Sequence, residues 1–188
     1  MTDPYAVGVD DGGRLGSPTS TVTRRLSHMT GMYADAGAHA ELTAAGDPLV
    51  YEVYQRDVPS VAGELAVCTT VLQPGRVGDE YYMTKGHFHE VRDRAELYYG
   101  LTGTGLLLLE TEDGRTATNP MRPNTAAYVP GGWAHRTVNT GAEPLTFLAV
   151  YPGDAGHDYG TIESSGFSVR VVAVDGQPKV VRRGGDRA

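Results

Sequence analysis

The chain has a single cysteine, Cys68, so no disulfide can form within it and its stability must come from a packed core. We read that lone thiol as a small buried hydrophobe. Long apolar runs are missing too. The longest, such as Gly105–Leu109, are far too short to span a bilayer. The opening residues, Met-Thr-Asp-Pro-Tyr-Ala-Val-Gly-Val-Asp-Asp-Gly-Gly, lack the basic-then-apolar order of a secretory signal. Positive charge is also scarce. The 16 Lys and Arg face 23 Asp and Glu, a net charge of −7, and an acidic chain is a poor match for nucleic acid or an anionic membrane. These absences leave a cytoplasmic protein, with no nucleic-acid or membrane partner, acting on small molecules. An anionic substrate stays open, because a few local donors can outweigh net charge.

What is present is a β-rich texture. With 188 residues the chain is long enough for one domain with a real core. Residues 1–21, rich in Gly, Ser, Thr, Pro and Asp, read as a flexible arm. Residues 22–178 read as a single domain, and 179–188 as a polar tail. Ser27 is a weak helix-cap or turn signal, and helix signals are otherwise few. From Val50 short β-rich runs alternate with turn clusters. The runs are 50–54, 64–72, 80–84, 96–101, 105–111, 126–129, 136–138, 145–151 and 168–173. Gly, Pro, Asn or Asp sits in each gap, and Glu112-Asp-Gly-Arg115 carries the Asp-Gly pair favoured in tight hairpins. Many short, regularly spaced strands predict an all-β sandwich or barrel.

The most informative stretch is Gly86-His87-Phe88-His89, followed by Glu96, with His135 further on in Pro130-Gly-Gly-Trp-Ala-His135. Residues two apart on a strand point to one face, so His-x-His aims two imidazoles at one place. Glu96 can follow on the next strand, and His135 can arrive from a distant one. Three neutral imidazoles and a carboxylate suit a divalent transition metal.

The full spacing runs His-x-His, six residues, Glu96, and a turn at Gly103 and Gly105. A second block, Pro130, Gly132, His135 and Asn139, completes it, and the set resembles the two motifs of the cupin superfamily. One departure is visible: Asn124 stands where the second motif usually opens with glycine. The flanking residues narrow the resemblance. Pro74-Gly-Arg-Val-Gly-Asp-Glu-Tyr-Tyr-Met-Thr-Lys-Gly-His-Phe-His89 is similar to the signature of the cupin-type glucose-6-phosphate isomerases of archaea and some bacteria. Arg25-Leu-Ser-x-Met29-x-Gly31 with Tyr33, Glu96-Leu-Tyr-Tyr99, Tyr128–His135, and Tyr151-Pro152 with His157-Asp-Tyr-Gly160 extend the likeness over roughly residues 24–170.

That resemblance implies a cupin double-stranded β-helix, a jelly-roll barrel with a few short helices. It implies one metal ion per subunit on His87, His89, Glu96 and His135, with Fe(II) placed ahead of Mn(II), Ni(II) and Zn(II). It implies a sugar-phosphate pocket from Tyr51, Thr70, Thr84, Gly86, Tyr151, His157 and Tyr159, and a homodimer. Lys85 is expected on the strand face opposite Thr84 and Gly86. The implied reaction interconverts glucose 6-phosphate and fructose 6-phosphate, through a cis-enediol or a metal-assisted hydride shift. Glu96 is the candidate base, and Tyr98, two residues on, a candidate for positioning substrate or relaying a proton. Three other readings stand beside it: a related sugar-phosphate isomerase or epimerase, an Fe(II) cupin oxygenase, and a sugar-binding cupin without catalysis.

Overall fold

The computed structural model describes residues 3–184. Thirteen strands, all paired antiparallel, form three sheets. The largest holds β1 (Ser20–Arg25), β2 (Leu49–Arg56), β3 (Leu65–Leu72), β11 (Leu145–Pro152), β6 (Glu96–Thr102) and β9 (Ala126–Val129), side by side in that order. A second sheet orders β10 (Trp133–Asn139), β7 (Gly105–Thr111) and β8 (Thr116–Met121). A third orders β13 (Gln177–Arg182), β12 (Val169–Val174), β5 (Glu80–Tyr81) and β4 (Arg76–Val77). This is the all-β cupin architecture expected. Among the described residues no helix is long and apolar enough to cross a membrane.

Every strand expected from the sequence is present, although the run 80–84 keeps only β5 and an isolated bridge at Met83. Four strands went unread: β1, β4, β8 and β13, and each lies at a sheet edge. Edge strands bury little, so their hydrophobic alternation is weak. They also tolerate proline, which β8 carries at Pro120 and β13 at Pro178. The tail read as starting at 179 is therefore paired to β12 as far as Arg182, and residues 185–188 lie outside the described part.

Within the segment expected as a flexible arm most residues are exposed, and a buried contact ties it to the large sheet. Leu15 is buried and its N–H donates to Thr69 Oγ1 at 2.9 Å. Residues 1–2 of that arm lie outside the described part. Ser27 sits inside a short 3₁₀ turn, Leu26–Met29, where its N–H and hydroxyl donate to Asp47 at 2.7 and 2.8 Å. Two short helices complete the fold. In α1 (Ala36–Gly46) Asp35 caps the first turn, and in α2 (Tyr159–Ser165) Asp158 does so.

The core explains where a cavity can exist. Leu72, Leu107, Val129, Val138, Leu145 and Phe147 pack the interior of the barrel. Toward one end the inward positions of β1, β2, β3, β11 and β6 turn from aliphatic to polar and aromatic. Asn124, the departure from the cupin pattern, adopts φ 62°. Asparagine tolerates this left-handed region better than most residues, so the turn that glycine usually makes is still made.

Candidate active site

Strand alternation builds the site. The inward residues are Tyr51, Val53 and Gln55 on β2, Cys68 and Thr70 on β3, Glu96 and Tyr98 on β6, and Phe147, Ala149 and Tyr151 on β11. Register then lays them in rows. Gln55 pairs with Cys68, Cys68 with Ala149, and Ala149 with Tyr98, while Val53 pairs with Thr70 and Thr70 with Phe147. These rows floor a cavity of about 280 Å³, close to the lower end for a small-molecule site. His87, His135, His157 and Tyr159 close it from the other side.

At one end four side chains converge. One ligand atom from each of His87, His89, Glu96 and His135 lies within 4.8 Å of the others, and the group could hold a metal ion. The expected His-x-His strand is reduced to bridges: His87 pairs with His135 on β10, and Phe88 with Asp158. Glu96 opens β6, and its carboxylate is buried with the imidazoles.

The hydrogen bonds behind the histidines set their tautomers. His89 Nδ1 donates to the Arg94 carbonyl at 2.8 Å, and His135 Nδ1 to the Trp133 carbonyl at 3.2 Å. His135 then presents a bare Nε2 to the centre, whereas His89 Nε2 is hydrogen-bonded to the Glu96 carboxylate. Glu96 Oε2 lies 3.1 Å from His89 Nε2 and 2.9 Å from His135 Nε2. The second contact lacks hydrogen-bond alignment, so His135 Nε2 has no hydrogen-bond partner, and neither has His87 Nε2. Lone pairs and a carboxylate gathered at one dry point repel unless a cation sits among them. The donor set and the orphaned nitrogens therefore fit a metal ion.

The electrostatics agree. Burial alone would raise the Glu96 carboxyl, but His135, His89 and His87 outweigh it and hold the group below the usual carboxylate range. Burial first, then His135 and His157, push His87 well below the usual imidazole value, which keeps it neutral and able to ligate. Burial also lowers His89, yet the Glu96 contact exceeds that and leaves it raised. Burial, with the Glu96 charge next, keeps the Tyr98 hydroxyl protonated and hence a donor.

All the residues expected to bind substrate line this one cavity: Tyr51, Thr70, Thr84, Gly86, Tyr151, His157 and Tyr159. Tyr151 donates its hydroxyl to Gln55 at 2.9 Å, and His157 stacks on Tyr159 with ring centroids 5.8 Å apart. Of the four histidine and glutamate ligand candidates only His89 lies behind the wall. Lys85 departs from expectation. It borders the cavity beside Thr84 and Gly86, its backbone N–H donating to the Tyr51 hydroxyl and its Nζ pairing with Glu163, because residues 84–86 lie in no strand and the alternation behind the opposite-face expectation does not apply. A Cβ at Gly86 would stand 2.8 Å from the Phe167 ring and 3.1 Å from the His135 carbonyl, so glycine is needed there. Gln55 and Ser20 also line the cavity and went unread, and Cys68, read as a buried hydrophobe, is buried and forms part of the cavity wall. Their signal was available: Gln55 continues the inward alternation from Tyr51, and Cys68 lies two before Thr70.

With this geometry in place, the similarity to known proteins is informative. The family profile described as "Glucose-6-phosphate isomerase (GPI)" matches residues 23–187. A protein named glucose-6-phosphate isomerase from Pyrococcus horikoshii is 50% identical over 179 residues, covering 95% of each chain. Its namesake from Thermococcus kodakarensis is 54% identical over 160 residues, 85% of this chain and 84% of that one. A "Putative glucose-6-phosphate isomerase 2" from Rhizobium meliloti is 40% identical over 165 residues, 87% of this chain and 82% of that one.

Proposed function

The chain belongs to the glucose-6-phosphate isomerase family, and from that premise we propose that it interconverts glucose 6-phosphate and fructose 6-phosphate with a bound divalent metal ion. The observation that carries this reading is the convergence of His87, His89, Glu96 and His135 at the end of a cavity otherwise lined by hydroxyls and aromatic rings. An oxygenase would be better served by an apolar pocket beside its metal. A binding module would have no use for a buried, ionised carboxylate held among the ligands.

His87, His89, Glu96 and His135 would hold the ion, which when bound would supply Lewis-acid stabilisation of the negative charge that develops on the sugar. We assign Fe(II) first, with Mn(II), Ni(II) and Zn(II) as alternatives. Glu96 moves the proton between C2 and C1. Its two short contacts both fall on Oε2, which leaves Oε1 for that proton. Tyr98, held protonated next to Glu96, positions the substrate oxygens or relays a proton between them. Thr84 and the Gly86 N–H take the phosphate with Tyr51, while Thr70, Tyr151, His157 and Tyr159 enclose the sugar. Such hydroxyl and main-chain donors recognise a phosphate without a lysine cluster. The enzyme works in the cytoplasm, in the sugar-phosphate interconversions of glycolysis and gluconeogenesis, as a homodimer. The exposed Leu97, Tyr99 and Tyr128 on the outer face of β6 and β9 give a second copy an apolar surface to cover.

The test is isomerase activity on fructose 6-phosphate after EDTA, and after return of each metal ion. Activity lost and then restored supports the reading. A folded, metal-loaded protein that turns over neither hexose phosphate defeats it. Running the active enzyme in D₂O separates the two routes: deuterium appears in the product through an enediol and stays out in a hydride shift.

A further inference from the structure

The phosphate end of this cavity has a cation that neither the sequence motifs nor the residues above account for. Strand β1 carries Ser20, Val22 and Arg24 on one face, and the first two line the cavity. Arg24 stands opposite Tyr51 in the β1–β2 register. The Tyr51 hydroxyl in turn accepts the Lys85 N–H at 3.5 Å, which places Arg24 beside the Thr84–Gly86 segment. Arg24 is not itself among the residues lining the cavity; its guanidinium meets the Tyr51 hydroxyl, which does line it, and its charge also reaches the Tyr159 hydroxyl.

The guanidinium is poorly satisfied where it sits. Its Nε is buried with no hydrogen-bond partner. Beyond its contact with the Tyr51 hydroxyl, its hydrogen bond is a long one, Nη1 to its neighbour's carbonyl on Thr23 at 3.5 Å. No ion pair among the described residues uses it, whereas Lys85, the other cation here, is neutralised by Glu163 at 2.8 Å. Leaving an arginine N–H dry and unpaired is costly, and among the described residues no carboxylate is placed against this one. A planar fork of N–H donors fits two phosphate oxygens at once.

We infer that Arg24 binds the phosphate group of the substrate, completing a subsite with Tyr51, Thr84 and the Gly86 N–H. The inference rests on the sugar-phosphate reading above and deepens it: Arg24 is what makes the enzyme prefer a phosphorylated hexose. It acts on binding and lies apart from the four metal-ligand candidates, so its loss raises KM far more than it lowers kcat.

The experiment compares wild type with R24Q and R24K. It measures kcat and KM for fructose 6-phosphate and the inhibition constant of inorganic phosphate. For R24Q we expect KM and the phosphate constant each to rise on the order of ten- to a hundredfold, as for loss of a charge-assisted hydrogen-bond pair. R24K, which keeps the charge and loses the fork, should fall between. An R24Q protein whose KM and phosphate constant stay within twofold of wild type overturns the inference. A kcat loss as large as the KM rise overturns it too, since that would mark a structural role. Should R24Q fail to fold by circular dichroism, R24K decides alone: both constants unchanged would refute the fork. If wild type itself turns over no hexose phosphate, the functional reading has failed instead. Calorimetric titration of inorganic phosphate into wild type and R24Q then still judges Arg24.

Discussion

Asn139 ends the second sequence motif, four residues after His135, and its place invites a catalytic role. The structure assigns it a structural one, which predicts a particular pattern of damage. The side chain is fully buried at the end of β10. Its Nδ2 donates to the carbonyls of Leu72 and Glu143, both at 2.9 Å, and its Oδ1 accepts the Gly141 N–H at 2.9 Å. One side chain thus ties β10 to the end of β3 and to the turn leading into β11. In Asn139→Ala the Leu72 carbonyl loses that donor in a dry core, a penalty of about 1–3 kcal/mol. The Gly141 and Glu143 groups lie nearer the surface, where water can replace the amide, so each loses only about 0.5–1 kcal/mol. We expect a total near 3 kcal/mol. For a chain of this size that lowers Tm by on the order of 6–12 °C. Urea unfolding at fixed, saturating metal should show a lower midpoint with an unchanged slope. At a temperature where the variant is folded, kcat/KM should remain within a few-fold of wild type. A Tm loss below about 2 °C would show that these bonds do not hold the turn. A stable variant with kcat/KM down a hundredfold would refute the structural assignment and place Asn139 in the chemistry.

Two further predictions concern the site and its approach. Tyr98→Phe removes a buried hydroxyl next to Glu96 while keeping the ring against Phe147. If Tyr98 relays or positions, kcat should fall on the order of 10²-fold with KM changed little, and an unchanged kcat/KM would remove the role. Asp158 caps α2, which carries Tyr159, and pairs with Arg92 at 2.6 Å. The Arg92 hydrogen bond first, then those from Thr161, lower its pKa to about 2. A carboxyl lower in the folded state than its usual 3.9 or so stabilises the fold above that value and loses this contribution as pH falls toward 2. Asp158→Asn keeps the cap and loses the charge. It should therefore be less stable than wild type at pH 7, with the gap closing between about pH 4 and 2. Thermal melts that differ equally at both ends of that range would contradict this.

The sequence determined the chemistry and most of the interior. Imidazoles two apart, a carboxylate seven residues on and a distant third histidine can serve one centre only if strands deliver them. Turn residues every eight to twelve positions state that the strands are there. Inner strands that bury one face carry a period-two pattern, as β6 and the second half of β11 do, and β3, buried on both faces over its second half, was legible as a short β-rich run between turn residues. The edge strands β1, β4, β8 and β13 were not, because a strand with solvent on most of its surface keeps no such pattern. Tertiary structure alone decided the rest. It anchored the N-terminal segment at Leu15, and it took residues 84–86 out of the strand so that Lys85 borders the cavity. It also brought Arg24 beside Tyr51, 27 residues away along the chain, through the register of β1 on β2. Register depends on partners far away in the chain. A local pattern can say which residues face inward, but the pairing of strands decides what they face.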